Sequence, residues 1–179
     1  MIIEFIAISI IGTLLHFTYD WSKHNKIVGL FSAVNESTWE HIKLALSACF
    51  FCSVIDGFFL VSNPNYFLAK FTSLLTLIIV MPLLFYTYTA IVKKTILAID
   101  ISIFFITVAC GQIIFKVILE LNPLPYIFNY LGLLGIFAIF GFYMVVTLLP
   151  IKNSIFKDPI TNKYGLKGHS DTMVSKDNK

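Results

Sequence analysis

Two histidines and several carboxylates stand where the first two apolar stretches of the chain meet. His16 and Asp20 are four residues apart, which puts both on one face of a helix. Glu36 and Glu40 have the same spacing, with His41 beside Glu40. A short connection favours antiparallel neighbours, so two imidazoles and up to three carboxylates converge at one membrane boundary. Nitrogen and oxygen donors of this mix suit zinc, iron or manganese, and the ligand set read from the spacing is His16, Asp20, Glu40 and His41. Glu36 is then left over as a general base towards a metal-bound water.

The same residues also have a structural reading. Ser37-Thr38-Trp39-Glu40 fits a capping box, in which Ser37 caps the helix and Glu40 reaches back to its backbone amide. His16 and Asp20 then form a histidine held by a carboxylate at the interface. No spacing here has the specificity of a full HExxH motif.

The elements that must position these groups follow from composition. The chain has 179 residues, 58% of them hydrophobic and 13% charged, with a mean hydropathy of +0.85. Such a composition excludes a secreted disulfide scaffold, a nucleic-acid-binding domain and a sizeable water-soluble catalytic domain. It predicts an all-α polytopic membrane bundle, since an apolar run of about 20 residues spans a bilayer. Five such spans are expected, at about 2–19, 42–61, 67–92, 97–121 and 126–149, followed by a lysine-rich tail at 151–179. The first lacks a basic leader region and a small-residue cleavage site, so it reads as a retained helix. Pro82 predicts a kink or local loosening in the third. Asn63-Pro64-Asn65 and Asn122-Pro123-Leu124-Pro125 mark turns.

All 13 basic residues are lysines. With five spans the two termini lie on opposite sides, and eleven of the thirteen lysines share one side. The positive-inside rule makes that side cytoplasmic, with the N-terminus outside the cell membrane. The tail lysines are expected to rest on anionic lipid. Without arginine there is no guanidinium fork for a phosphate.

Other polar residues lie within the spans. Asp56 falls on the same face of the second span as His41, Ala45, Ala48 and Cys52, and an intramembrane carboxylate is a candidate proton carrier or a partner for a buried polar group. Gln112, Lys116 and Glu120 recur every four residues along one stripe, which lines a cavity or meets a helix partner. Cys49, Cys52 and Cys110 read as buried small hydrophobes. Gly132, Gly135, Ala138 and Gly141 form a small-residue seam, inside the bundle or between subunits of a homo-oligomer. Asp158 to His169 reads as a compact looped segment on the same face as Glu36, from which Asp158 or His169 returns to the constellation as ligand or lid. No fixed structure is expected after Ser170.

The blocks HFTYDWS, NESTWEHIK and DPITNKYGLKGH resemble a family of small multi-pass bacterial membrane proteins known only as a domain of unknown function. The resemblance implies five membrane helices and supplies no activity and no catalytic residues. Two functional classes stand side by side. One is a membrane-embedded metal-dependent hydrolase acting on an amphiphile. The other is non-catalytic, either a small-solute or ion permease or a subunit of a membrane complex.

Overall fold

The computed structural model describes residues 2–169 of the chain. The polar end expected to be irregular after Ser170 lies outside the described residues. The helices in chain order are α1 (Ile2–Trp21), α2 (Lys26–Gly29), α3 (Thr38–Leu60), α4 (Tyr66–Val92), α5 (Leu97–Leu119) and α6 (Tyr126–Leu148). Two 3-10 turns, Ser154–Phe156 and Gly165–Gly168, follow them. Among the described residues there is no strand, only one isolated antiparallel bridge between Lys157 and Tyr164.

Five of the helices are long and apolar enough to cross a membrane. At 1.5 Å per residue they reach roughly 30–40 Å, against a hydrocarbon core of about 30 Å. Their ends follow local chemistry. Ser37 caps α3, its hydroxyl accepting from Glu40 N. Lys93 ends α4 in a left-handed conformation at φ 59°. Pro125 precedes the first residue of α6. The α4 helix stays continuous through Pro82.

Large apolar side chains face outward along these helices, with Phe58 82% and Phe137 67% exposed. An outward apolar surface on that scale is what a lipid environment accepts and water does not. Inside, α4 packs against α5 and α6, and α1 packs against α3 and α5. The seam on α6 serves this packing. A Cβ at Gly132 would meet the Phe67 backbone at 2.6 Å, and one at Gly135 would run into the Phe71 ring. Nothing lies within 4 Å of the same position on Gly141.

Two buried ionic nodes tie the helices together, as buried charges require partners. In the first, Lys70 Nζ of α4 lies 2.7 Å from Asp56 Oδ2 of α3 and 3.1 Å from Glu4 Oε1 of α1, and over the Phe115 ring at 4.0 Å. Gln112 of α5, with its amide nitrogen turned towards Glu4, donates to that carboxylate at 2.8 Å. Lys116 and Glu120 do not continue this stripe inward. They pair with each other at 3.7 Å and are at least half exposed.

In the second node Lys43 Nζ donates to Glu40 at 2.6 Å, to Gly29 O at 2.9 Å and to Thr147 Oγ1 at 3.2 Å. Its three ammonium donors are thus all used, and α2, α3 and α6 are joined beneath the lysine-rich end of the bundle.

The segment after α6 folds back onto this end. Phe156 is buried against Trp39 of α3, ring centroids 5.0 Å apart. Gly165 takes a φ of +54°, and a Cβ there would meet Pro150 at 2.9 Å, so the turn needs glycine twice over.

Candidate metal centre

The connection between α1 and α3 is built to present side chains. Asp20 and Tyr19 accept the amides of Lys23 and His24 with their carbonyls, so the chain reverses just after α1. Lys23 and His24 both sit at positive φ, 55° and 61°. Strain of this kind concentrates at sites whose surroundings over-determine the backbone. Asn25 then caps α2 by accepting from Ile27 N.

Ser32 comes next, fully buried, and its hydroxyl inserts into the hydrogen-bond ladder of α1. It donates to Leu15 O and accepts from Tyr19 N at 2.9 Å. The insertion lies between His16 and Asp20, on the turn that carries both.

The four residues Val34–Ser37 follow, and partners on three sides hold them. Val34 N donates to Glu40 Oε2 at 2.9 Å, and Ser37 N donates to Asn35 Oδ1 at 2.9 Å. Glu36 N donates to the buried Asp158 at 3.1 Å, and Asn35 Nδ2 donates to Gly165 O at 3.0 Å. The returning C-terminal segment therefore acts as a clamp on this loop.

All four histidines of the chain meet here. They form two groups, each of two imidazoles and one carboxylate. In the first, Glu36 Oε2 lies 3.7 Å from His16 Nε2 and 3.7 Å from His41 Nε2. In the second, Asp20 Oδ1 lies 3.4 Å from His24 Nε2 and 3.1 Å from His169 Nε2. Within each group the candidate ligand atoms lie no more than 4.8 Å apart. Ligand atoms about 2.0–2.2 Å from a tetrahedral zinc are about 3.3–3.6 Å apart, so the carboxylate–imidazole distances of 3.1–3.7 Å are already of that size and only the wider pairs must draw in. The rings of His16 and His41 are 5.6 Å apart and those of His24 and His169 are 4.2 Å apart.

The same four-residue loop orients one histidine of each group. His41 Nδ1 is 3.0 Å from Ser37 O, and His169 Nδ1 is 3.2 Å from Val34 O. A carbonyl only accepts, so in both rings Nδ1 carries the proton and Nε2 is turned towards the carboxylate. This is the arrangement in which an outer-shell carbonyl fixes the tautomer of a ligating histidine. The facing imidazole of His16 holds the Glu36 carboxyl below its ordinary value of 4.5, against the opposing effect of burial.

Among the expected ligands, His16 and His41 come together as the spacing indicates, whereas Asp20 belongs to the neighbouring group. Glu36, expected as a free base, sits between the two imidazoles. Glu40 is placed elsewhere. Its carboxylate is 2% exposed beneath the loop and is used by Lys43 and Val34 N. The capping box is half realised for the same reason, since Ser37 caps the helix while Glu40 reaches Val34 rather than Ser37. Asp56 belongs to the distant Lys70 node. His169 does return to the constellation, and Asp158 supports it through Glu36 N rather than entering it.

His24 was not legible as a ligand. It continues the four-residue spacing from His16 through Asp20, but that spacing has meaning only within a helix, and α1 ends at Trp21. A hollow at the opposite end of the bundle, between Val61–Pro64 and Pro123–Tyr126, is lined by no histidine, carboxylate or lysine. Among the described residues the histidines gather at the lysine-rich end, whereas the Lys70 node holds buried carboxylates away from it.

No curated protein and no solved structure matches the chain. A match does extend over residues 1–166, which include His16, Asp20, His24, Glu36 and His41 and stop just short of His169. By that match over nearly its whole length, the chain belongs to the family of unknown function DUF6512.

Proposed function

We propose that this chain is a membrane-embedded protein that binds a divalent metal at the lysine-rich end of its bundle and uses it to hydrolyse an amphiphile at the membrane boundary. His16, Glu36 and His41 form one ligand group, and Asp20, His24 and His169 form the other. Three protein ligands leave a zinc, iron or manganese ion an open position for water or substrate. The excess of lysines at this end supports a cytoplasmic placement.

One observation carries the reading. With Nδ1 of His41 and His169 donating to backbone carbonyls, a neutral ring directs an Nε2 lone pair at a carboxylate oxygen. Two lone pairs facing each other are repulsive unless a cation lies between them. Either a metal ion or a proton on Nε2 supplies it. The 3.7 Å separations around Glu36 are too long for a hydrogen bond and suit ligands of a common ion, whereas the 3.1 Å between Asp20 and His169 accommodates a proton as well as an ion. The permease or subunit reading draws less support, because Lys116 and Glu120 are exposed and do not extend the buried polar node.

The test is elemental analysis of detergent-purified protein, wild type beside a His16→Ala/His41→Ala variant. Zinc, iron or manganese near stoichiometry, reduced in the variant, is the expected result. Metal-free wild-type protein overturns the reading and leaves imidazolium–carboxylate pairs in its place.

A further inference from the structure

The two groups share more than a neighbourhood. Each centres one carboxylate between two imidazoles, and each has one histidine oriented by a carbonyl of the Val34–Ser37 loop. Helix α1 contributes His16 to one group and Asp20 to the other, one turn apart. At 1.5 Å per residue that offset is about 6 Å along the helix axis.

We propose that the two groups form a single two-ion centre whose ligand is a phosphate oxyanion bound across both ions. This rests on the metal-binding reading above. A single bridging oxygen suits ions about 3.5–4 Å apart. Ions offset by a helical turn call for a bridge with two oxygens on one atom, and two metal–oxygen bonds of about 2 Å plus one edge of a tetrahedral oxyanion supply that reach. Charge selects among such bridges. Each divalent ion held by two neutral imidazoles and one carboxylate keeps one positive charge, so the pair is dicationic and complements a phosphate dianion.

Two further features agree. The chain has no arginine, so no guanidinium fork is available to hold phosphate in place of the ions, and the lysines at this end add positive charge around them. Asp20 and Glu36 are both about 40% exposed, which leaves the open coordination positions accessible from outside the bundle. Beside them Phe17 stacks on Trp21, 5.9 Å between centroids, and both rings are exposed next to His16. Such a strip suits an acyl chain or a membrane interface. The phosphate is therefore that of a lipid headgroup or free inorganic phosphate.

Full-length protein in phosphatidylcholine nanodiscs, stripped with chelator and reloaded with zinc, separates these ideas. Zinc content is measured first, and inorganic phosphate is then titrated by calorimetry, with and without phosphatidic acid in the disc. The expected wild type holds about two zinc ions and binds phosphate. Glu36→Gln and His24→Asn each retain about one zinc and lose phosphate affinity by roughly tenfold or more. Asparagine adopts the left-handed backbone of position 24 readily, and His169→Gln tests the same group should His24→Asn fail to fold. Phosphate binding that phosphatidic acid displaces identifies a headgroup site, and binding that phosphatidic acid leaves unchanged identifies free phosphate. Two zinc ions with no phosphate or phosphatidic acid binding overturn the proposal, as does phosphate binding that survives loss of either group. A wild type that takes up no zinc overturns the metal reading itself.

Discussion

Ser32 holds the turn of α1 that carries His16 and Asp20, because its hydroxyl stands where Leu15 O and Tyr19 N would otherwise bond to each other. Removing it leaves two buried backbone groups unpaired or forces the ladder to close. Ser32→Ala is expected to cost about 1–3 kcal/mol in denaturant unfolding and to weaken zinc binding, because closing the ladder draws His16 and Asp20 out of place. Unchanged zinc affinity in a competition titration would remove this positioning role. Glu36 makes a second prediction. Its folded-state value is depressed, so its contribution to stability is fully present above the unfolded value and is lost as the pH falls through the folded one. Below about pH 4.5 the wild type should lose melting temperature faster than Glu36→Gln, and parallel profiles for the two would contradict the assignment.

At the level of elements, the five long helices were legible because the bilayer sets a length that apolar runs must match. The boundaries read from the sequence fall within a few residues of those observed. The site was legible only in part. His16, Asp20, Glu36 and His41 stood out by spacing, yet Glu40 looked the same as a ligand and as a cap. The choice was made by Lys43, whose burial beneath the loop depends on Gly29 and Thr147, far apart in the chain. The return of the segment from Asp158 to His169 was legible from topology, whereas the bonds by which it holds Val34–Ser37, through Asp158 to Glu36 N and Gly165 O to Asn35, were not. The α6 seam is sharper, and two substitutions separate its parts. Gly132→Leu places a side chain into the α4 backbone and should unfold the protein or lower its melting temperature steeply. Gly141→Leu meets open space and should be tolerated in the same thermal scan.

Across the whole molecule the two ionic nodes sit towards opposite ends of the bundle, and each draws on three or more helices. Replacing the buried cation in the first leaves Glu4 and Asp56 without their partner. Lys70→Met is expected to cost about 3–5 kcal/mol, and a Lys70→Met/Asp56→Asn/Glu4→Gln triple variant should recover much of it in the same unfolding assay. The lysine-rich end has a different vulnerability. His169 bonds to Val34 across 135 residues of chain, so the group around Asp20 closes only after all the described helices have been synthesised. At about 5–20 residues per second, the histidines of the first two long helices emerge roughly 6–30 seconds before their last companion. A chain cut short anywhere in that interval can insert its early helices and still lack the residue that completes that group. Completion of that group thereby reports that translation has passed His169, far along the chain from where the site begins.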